Sequence, residues 1–171
     1  MTRWMLAITS LFLLTGCINN ASSVIQSENV LPKDFHKISF SPERGYSEFL
    51  VMKATDQTTF KELWDFYNFS GEVSNPEFDE NGVLFIGTYE NTCESVVSST
   101  KSIEGNLTID IDSEMGSCGE DIAIPRSFIV EWDKDDLNKL NHVVFPEGHE
   151  EIKVPFKKLD EIEKELSKKT E

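Results

Sequence analysis

Residues 56–67 read Asp-Gln-Thr-Thr-Phe-Lys-Glu-Leu-Trp-Asp-Phe-Tyr, and this stretch decides the fold class. Phe60, Leu63, Trp64 and Tyr67 recur at the spacing of one stripe on a helix with a period of about 3.6 residues. Asp56 stands where an N-cap acceptor is needed. A stripe this aromatic is packing surface for a core. The segments around it read as strands. Residues 35–40 alternate loosely, and residues 47–53 contain Phe49, Leu50, Val51 and Met52. Val83-Leu84-Phe85-Ile86 is a short apolar run, the pattern of a central buried strand. Residues 127–132, 142–145 and 150–156 supply further strands, and residues 133–140 a helical turn. At the end, Leu159, Ile162 and Leu166 draw a thin apolar stripe along a charged helix over residues 157–171. Strands flanking a single strong helical stripe predict an α+β fold: a mostly antiparallel β-sheet with one packed helix and a C-terminal charged helix.

A long hairpin is expected in the middle of the chain. Leu107, Ile109 and Ile111 alternate with Thr108, Asp110 and Asp112, which marks a strand with one wet face. Two registers with residues 95–103 are open. A two-residue turn at Gly105-Asn106 sets Cys93 opposite Cys118 but faces Leu107 with Glu104. A three-residue loop pairs Ile103 with Leu107 and offsets the cysteines by one. The second register, with one bulge near Gly116 or Gly119, reconciles apolar pairing with a bridge.

The chain begins Met1-Thr2-Arg3, runs apolar from Trp4 to Leu14, and then reads Thr15-Gly16-Cys17. A basic head, an apolar stretch and small residues before a cut describe an export signal. The stretch is about a dozen residues long, short of the roughly 20 that span a bilayer. Leu14-Thr15-Gly16-Cys17 resembles the lipobox of bacterial lipoproteins. The resemblance implies cleavage before Cys17 and a lipid anchor on it, diacylglycerol with palmitate as the expected acyl component. The domain organisation that follows is a signal peptide at 1–16, a lipidated flexible tether at 17–32, a single globular domain at 33–156 and a C-terminal polar helix at 157–171. The expected location is outside the cytoplasm, on a bacterial membrane.

The whole chain has 16 basic and 31 acidic residues, a formal net charge of −15. Arg3 is the one charged residue of the signal, so the remainder carries 15 basic against 31 acidic residues, a net of −16. Such a surface argues against nucleic acid as a partner, because a phosphate backbone demands positive charge. It argues equally against a broad electrostatic footprint on anionic lipid, which leaves attachment to the anchor. With Cys17 committed to lipid, Cys93 and Cys118 remain as an even pair in an exported chain. A bridge between them closes a loop of about 26 residues, worth roughly 3 kcal/mol in the chain-entropy model. The rival reading is a metal-binding or catalytic thiol.

No catalytic set, metal set or cofactor is assigned. Asp110, Asp112, Glu114, Glu120 and Asp121 form an acidic stretch, but without the carboxylate and glycine spacing of a calcium loop. His36, His142 and His149 lie far apart and outside any recognisable motif. Arg126, in Ile124-Pro125-Arg126-Ser127-Phe128, is the cation of interest: either a clamp on a carboxylate within the fold or a contact for an acidic group on a partner.

The order of the Trp64 helix, Val83-Leu84-Phe85-Ile86-Gly87, the Cys93–Cys118 hairpin and Ile124–Val130 is similar to the C-terminal domain of the protease-complex subunit PrcB, over about residues 47 to 145. That resemblance implies a non-catalytic module that supports another protein. The expectation is therefore a non-enzymatic binding or accessory module for another envelope protein. The alternative is a hydrolase acting on cell-envelope material.

Intact-mass analysis of the exported protein, alkylated without reductant, is expected to find lipid on an N-terminal Cys17 and no adduct on Cys93 or Cys118. An unlipidated Cys17, or alkylation of both other cysteines, would contradict these assignments.

Overall fold

The structure, a computed structural model, describes residues 23–42, 48–72, 76–103, 105–113 and 122–168. Two four-stranded sheets and a layer of helices stack on one another. The first sheet is ordered β1-β6-β3-β2 and is antiparallel throughout: β1 (Ser23–Glu28), β2 (Phe49–Ala54), β3 (Asn81–Glu90) and β6 (Ile124–Asp133). The second is ordered β4-β5-β7-β8: β4 (Ser95–Ile103), β5 (Asn106–Ser113), β7 (His142–Glu147) and β8 (Glu150–Pro155). Its β5–β7 pair is parallel, and its other pairs are antiparallel. Helices α1 (Phe35–Ile38), α2 (Gln57–Phe66) and α4 (Leu159–Lys168) supply the buried apolar residues that cover the outer face of the first sheet. Helix α3 (Lys134–Lys139) adds Leu137 to the layer between the sheets.

Side-chain alternation explains why β2 and β3 read as continuous apolar runs. Phe49, Val51, Leu84, Ile86, Phe128 and Val130 belong to the core between the sheets. Leu50, Met52, Val83, Phe85 and Ile129 belong to the core under the helices. Both phases of these strands are buried, so neither is polar. In β5, Leu107 and Ile109 face the inter-sheet core while Thr108 and Asp110 are only partly covered, which restores the alternation.

The expected helix at residues 57–66 is present, and Asp56 caps it through Thr59 N at 2.9 Å. Tyr67 then ties it to the sheet. Its hydroxyl lies 3.1 Å from the Leu50 carbonyl and 3.3 Å from the Phe85 carbonyl and shares one proton between them. Complete burial pushes the Tyr67 phenol well above its usual pKa, so the group stays a donor.

The fold is α+β as expected, with its strands divided between two sheets. Several local expectations are corrected. Residues 35–38 are helical, because Asp34 turns the chain at φ 59° and Phe35 and Ile38, three apart, then share one buried face. Residues 23–28, expected within the 17–32 tether, pair as β1 with β6. Their backbone supplies an edge strand although only Val24 and Ile25 are apolar. The globular unit also extends past residue 156: α4 docks through Ile162, which is 1% exposed, with Leu159 and Leu166 packed beside it. The β4–β5 register differs from both expected ones. Ile103 pairs with Asn106 and Ser102 with Leu107, and the irregularity falls between Val97 and Ser99. Leu107 and Ile109 pack on the first sheet, so β4 need not supply them with apolar partners. Gly105, at φ 79°, carries the turn.

Gly87 lets the helical layer approach β3. A Cβ there would stand 2.9 Å from Leu31 Cδ2 and 3.2 Å from both the Phe35 and Tyr67 rings. Gly87→Val is expected to destabilise the fold by about 1–3 kcal/mol in urea denaturation, through overpacking. An unchanged midpoint would mean that α1 and Tyr67 yield freely.

Candidate functional site at the Glu90 corner

The inter-sheet core ends where apolar residues give way to charge. Along β6 the inward residues run Trp132, Val130, Phe128 and then Arg126; Arg126 pairs with Thr88 on β3. Two residues further along β3, Glu90 occupies the same face. The two side chains, 6% and 3% exposed, meet as a fork: Arg126 Nε donates to Glu90 Oε2 at 2.9 Å, and Nη2 lies 2.7 Å from Oε1. The guanidinium also donates through Nη1 to Ser27 Oγ on β1 at 3.0 Å and sits 3.3 Å from the exposed carboxylate of Glu94. Glu90 Oε2 in turn accepts from Ser95 N at 2.7 Å, where β4 begins. One buried pair thus joins β1, β3, β6 and the start of β4, and links the two sheets at their open end.

A cleft of about 230 Å³ lies at this end. Phe49 and Phe145, stacked with centroids 4.1 Å apart, are among its walls, as are Thr88, Glu90, Asn91 and Ser95. Two of the large apolar side chains left exposed among the described residues stand at this end. Ile122 is 49% exposed and Tyr89 is 40% exposed, with the Tyr89 ring set edge-on to Phe35. Tyr89 pairs with Pro125, and Ile122 precedes β6 by two residues, so both belong to the same end of the β3–β6 ladder.

The residues singled out from sequence are distributed as follows. Arg126 is the carboxylate clamp of the two readings proposed for it, and its charge is spent inside the fold. Cys93 is half-buried just ahead of β4 and is disulfide-bonded. Cys17 and Cys118 lie outside the described residues, as do Glu114, Glu120 and Asp121. Asp110 accepts from Ser99 Oγ across the β4–β5 pair, and Asp112 is exposed. His36 on α1 and His149 in the turn between β7 and β8 are exposed; His142 Nε2 on β7 and Trp132 Nε1 are buried and have no hydrogen-bond partner among the described residues. Among the described residues no group of three His, Cys, Asp or Glu is arranged to hold a metal ion, and no helix is long and apolar enough to cross a membrane.

Sequence reasoning missed Glu90 as the partner of Arg126. A signal was present: Glu90 closes an apolar strand in the same phase as Leu84 and Ile86, which face the core. Comparison with protein-family models, curated proteins and solved structures returned no match.

Arg126→Met leaves the Glu90 carboxylate buried and uncompensated, and is expected to cost about 3–5 kcal/mol in urea denaturation. Adding Glu90→Leu to that variant is expected to restore most of the loss. A cost below about 1 kcal/mol for Arg126→Met would show that water reaches the carboxylate at no penalty.

Proposed function

We propose that the chain is an extracytoplasmic lipoprotein, anchored through Cys17, whose folded domain is a non-enzymatic accessory module that contacts another envelope protein at the Glu90 corner. The observation that carries this reading is the pairing of rigidity with exposed apolar surface. A buried bidentate ion pair holds the corner, and Tyr89 and Ile122 stand exposed beside it. A contact surface that is already ordered loses little entropy on binding. The resemblance of the element order to the PrcB C-terminal domain is in keeping with this reading, as is a Cys93–Cys118 bridge, which we include in the proposal. Anchoring also fits a neighbouring protein better than a diffusible substrate. Ser23 already belongs to β1, and the six steps from Cys17 to Ser23 reach at most roughly 20 Å. The domain is therefore confined close to the membrane, where its effective concentration toward membrane-bound neighbours is high.

In-cell photocrosslinking tests this. A crosslinking side chain at Ile122 is expected to capture one defined envelope protein, and the same group at Glu163 on α4 is not. With that partner purified, Ile122→Asp is expected to weaken binding by about tenfold or more at unchanged fold stability. Equal capture from both positions would sink the reading, as would turnover of an envelope substrate abolished by changing one acidic residue or histidine.

A further inference from the structure

A second cavity lies at the other end of β2, away from the Glu90 corner, and it carries an inference independent of the one above. Lys53 is the single charged residue of β2. Its Nζ donates to the carbonyls of Leu137 at 3.0 Å and Leu140 at 3.4 Å, where α3 ends, and lies 4.8 Å from the centroid of the Phe156 ring. Cations are favoured at a helix C-terminus and over an aromatic face, so the ammonium is held in place. Three protons serve two carbonyls, which leaves one for a further acceptor. Beside it opens a groove of about 410 Å³, within the range of small-molecule sites.

The floor of the groove is apolar, with Met52, Leu63, Phe156 and Leu159 contributing. Its charged lining is mostly cationic: Lys53, Lys157 and Lys158 against Glu62 and Asp160. Lys157 is matched by Glu165 at 2.8 Å, and Asp160 by Lys164 at 3.3 Å. Lys53 and Lys158 have no carboxylate partner among the described residues. Burial first, and then the repulsion of Lys158, hold the Lys53 ammonium below its ordinary pKa. In a chain with a net charge of −15, this is a place where an anion is electrostatically welcome and a cation is not.

We propose that this groove binds a small apolar carboxylate, its tail on Leu63, Phe156 and Leu159 and its carboxylate between Lys53 and Lys158. The carboxylate accepts a hydrogen bond from the remaining Lys53 N–H and relieves the repulsion between the two lysines, and the tail covers the apolar floor.

The test uses 4-phenylbutanoate as the probe and its neutral amide as the control. Each is titrated calorimetrically into the purified full chain, with the same probe titrated into buffer alone as the blank. Expected is one saturable site for the carboxylate with a Kd of about 1 mM or below, and binding of the amide weaker by about tenfold or more. Lys53→Met is expected to abolish that preference. Because Lys53 also anchors the end of α3, two exposed substitutions provide a second reading. Lys158→Met is expected to weaken carboxylate binding about threefold or more, and Glu62→Gln to tighten it about twofold, with amide binding unmoved by either. Absence of saturable heat for the carboxylate up to about 10 mM would overturn the proposal. So would equal affinity for carboxylate and amide, or parental binding in both Lys158→Met and Glu62→Gln.

Discussion

Strands β6, β3 and β2 of the first sheet are covered on both faces, by helices on one side and by the second sheet on the other, and most of the molecule's organisation follows from that double burial. A strand with a single wet face can discharge its polar residues there. These strands cannot, so β2 and the centre of β3 are almost wholly apolar, and polar side chains gather where the layers stop. At one end of the inter-sheet layer stand Arg126 and Glu90, which neutralise one another. At the other end is Lys53, whose charge is met by helix-terminal carbonyls and an aromatic face. Each charge sits where a strand leaves the core, and each is held by partners that also fasten a neighbouring element.

The same constraint sets how far the fold could be read from sequence. Where burial is one-sided and periodic, the pattern was legible: the Phe60–Tyr67 stripe with its Asp56 cap, the alternation of β5, and the strand pair β7–β8. The apolar run at Val83–Ile86 is legible as a central buried strand, but a run of that kind does not say what covers it. The second sheet was therefore read as part of the first. Edge strand β1 was illegible for a different reason. Its pairing rests on backbone hydrogen bonds, which any sequence can make, and Ser23–Glu28 carries too little apolar material to announce a strand. Apolar matching between the two strands does not set the register of the β4–β5 hairpin. The buried face of β5 is matched across the layer, by the first sheet.

Of the candidate site, the cation was legible and its partner was not. Arg126 stood out as one of few positive charges in an acidic chain, whereas Glu90 was one of many negative ones. Only the phase of β3, which places Glu90 on the face of Leu84 and Ile86, distinguishes it from the solvated carboxylates. The exposed pair Tyr89 and Ile122 likewise looks unremarkable in one dimension. Tyr89 follows Thr88 and precedes Glu90, Ile122 follows Asp121, and exposure is decided by what the tertiary structure leaves uncovered.

The pairing of β1 with β6 has a consequence for the order in which the molecule assembles. Ser23 and Glu131, opposite one another in that ladder, are 108 residues apart. The hairpins β4–β5 and β7–β8, by contrast, close over short turns. Closing the longer loop costs more chain entropy, and non-local pairings of this kind slow folding. Among the described strands β1 is the first to leave a ribosome, and its partner β6 must follow before the two can pair. Until the two strands pair, the groups on β6 that β1 will cover, including the Arg126 N–H destined for Ser27, face water. Completion of the sheet is therefore a late event, and the segment nearest the amino terminus is among the last to find its place.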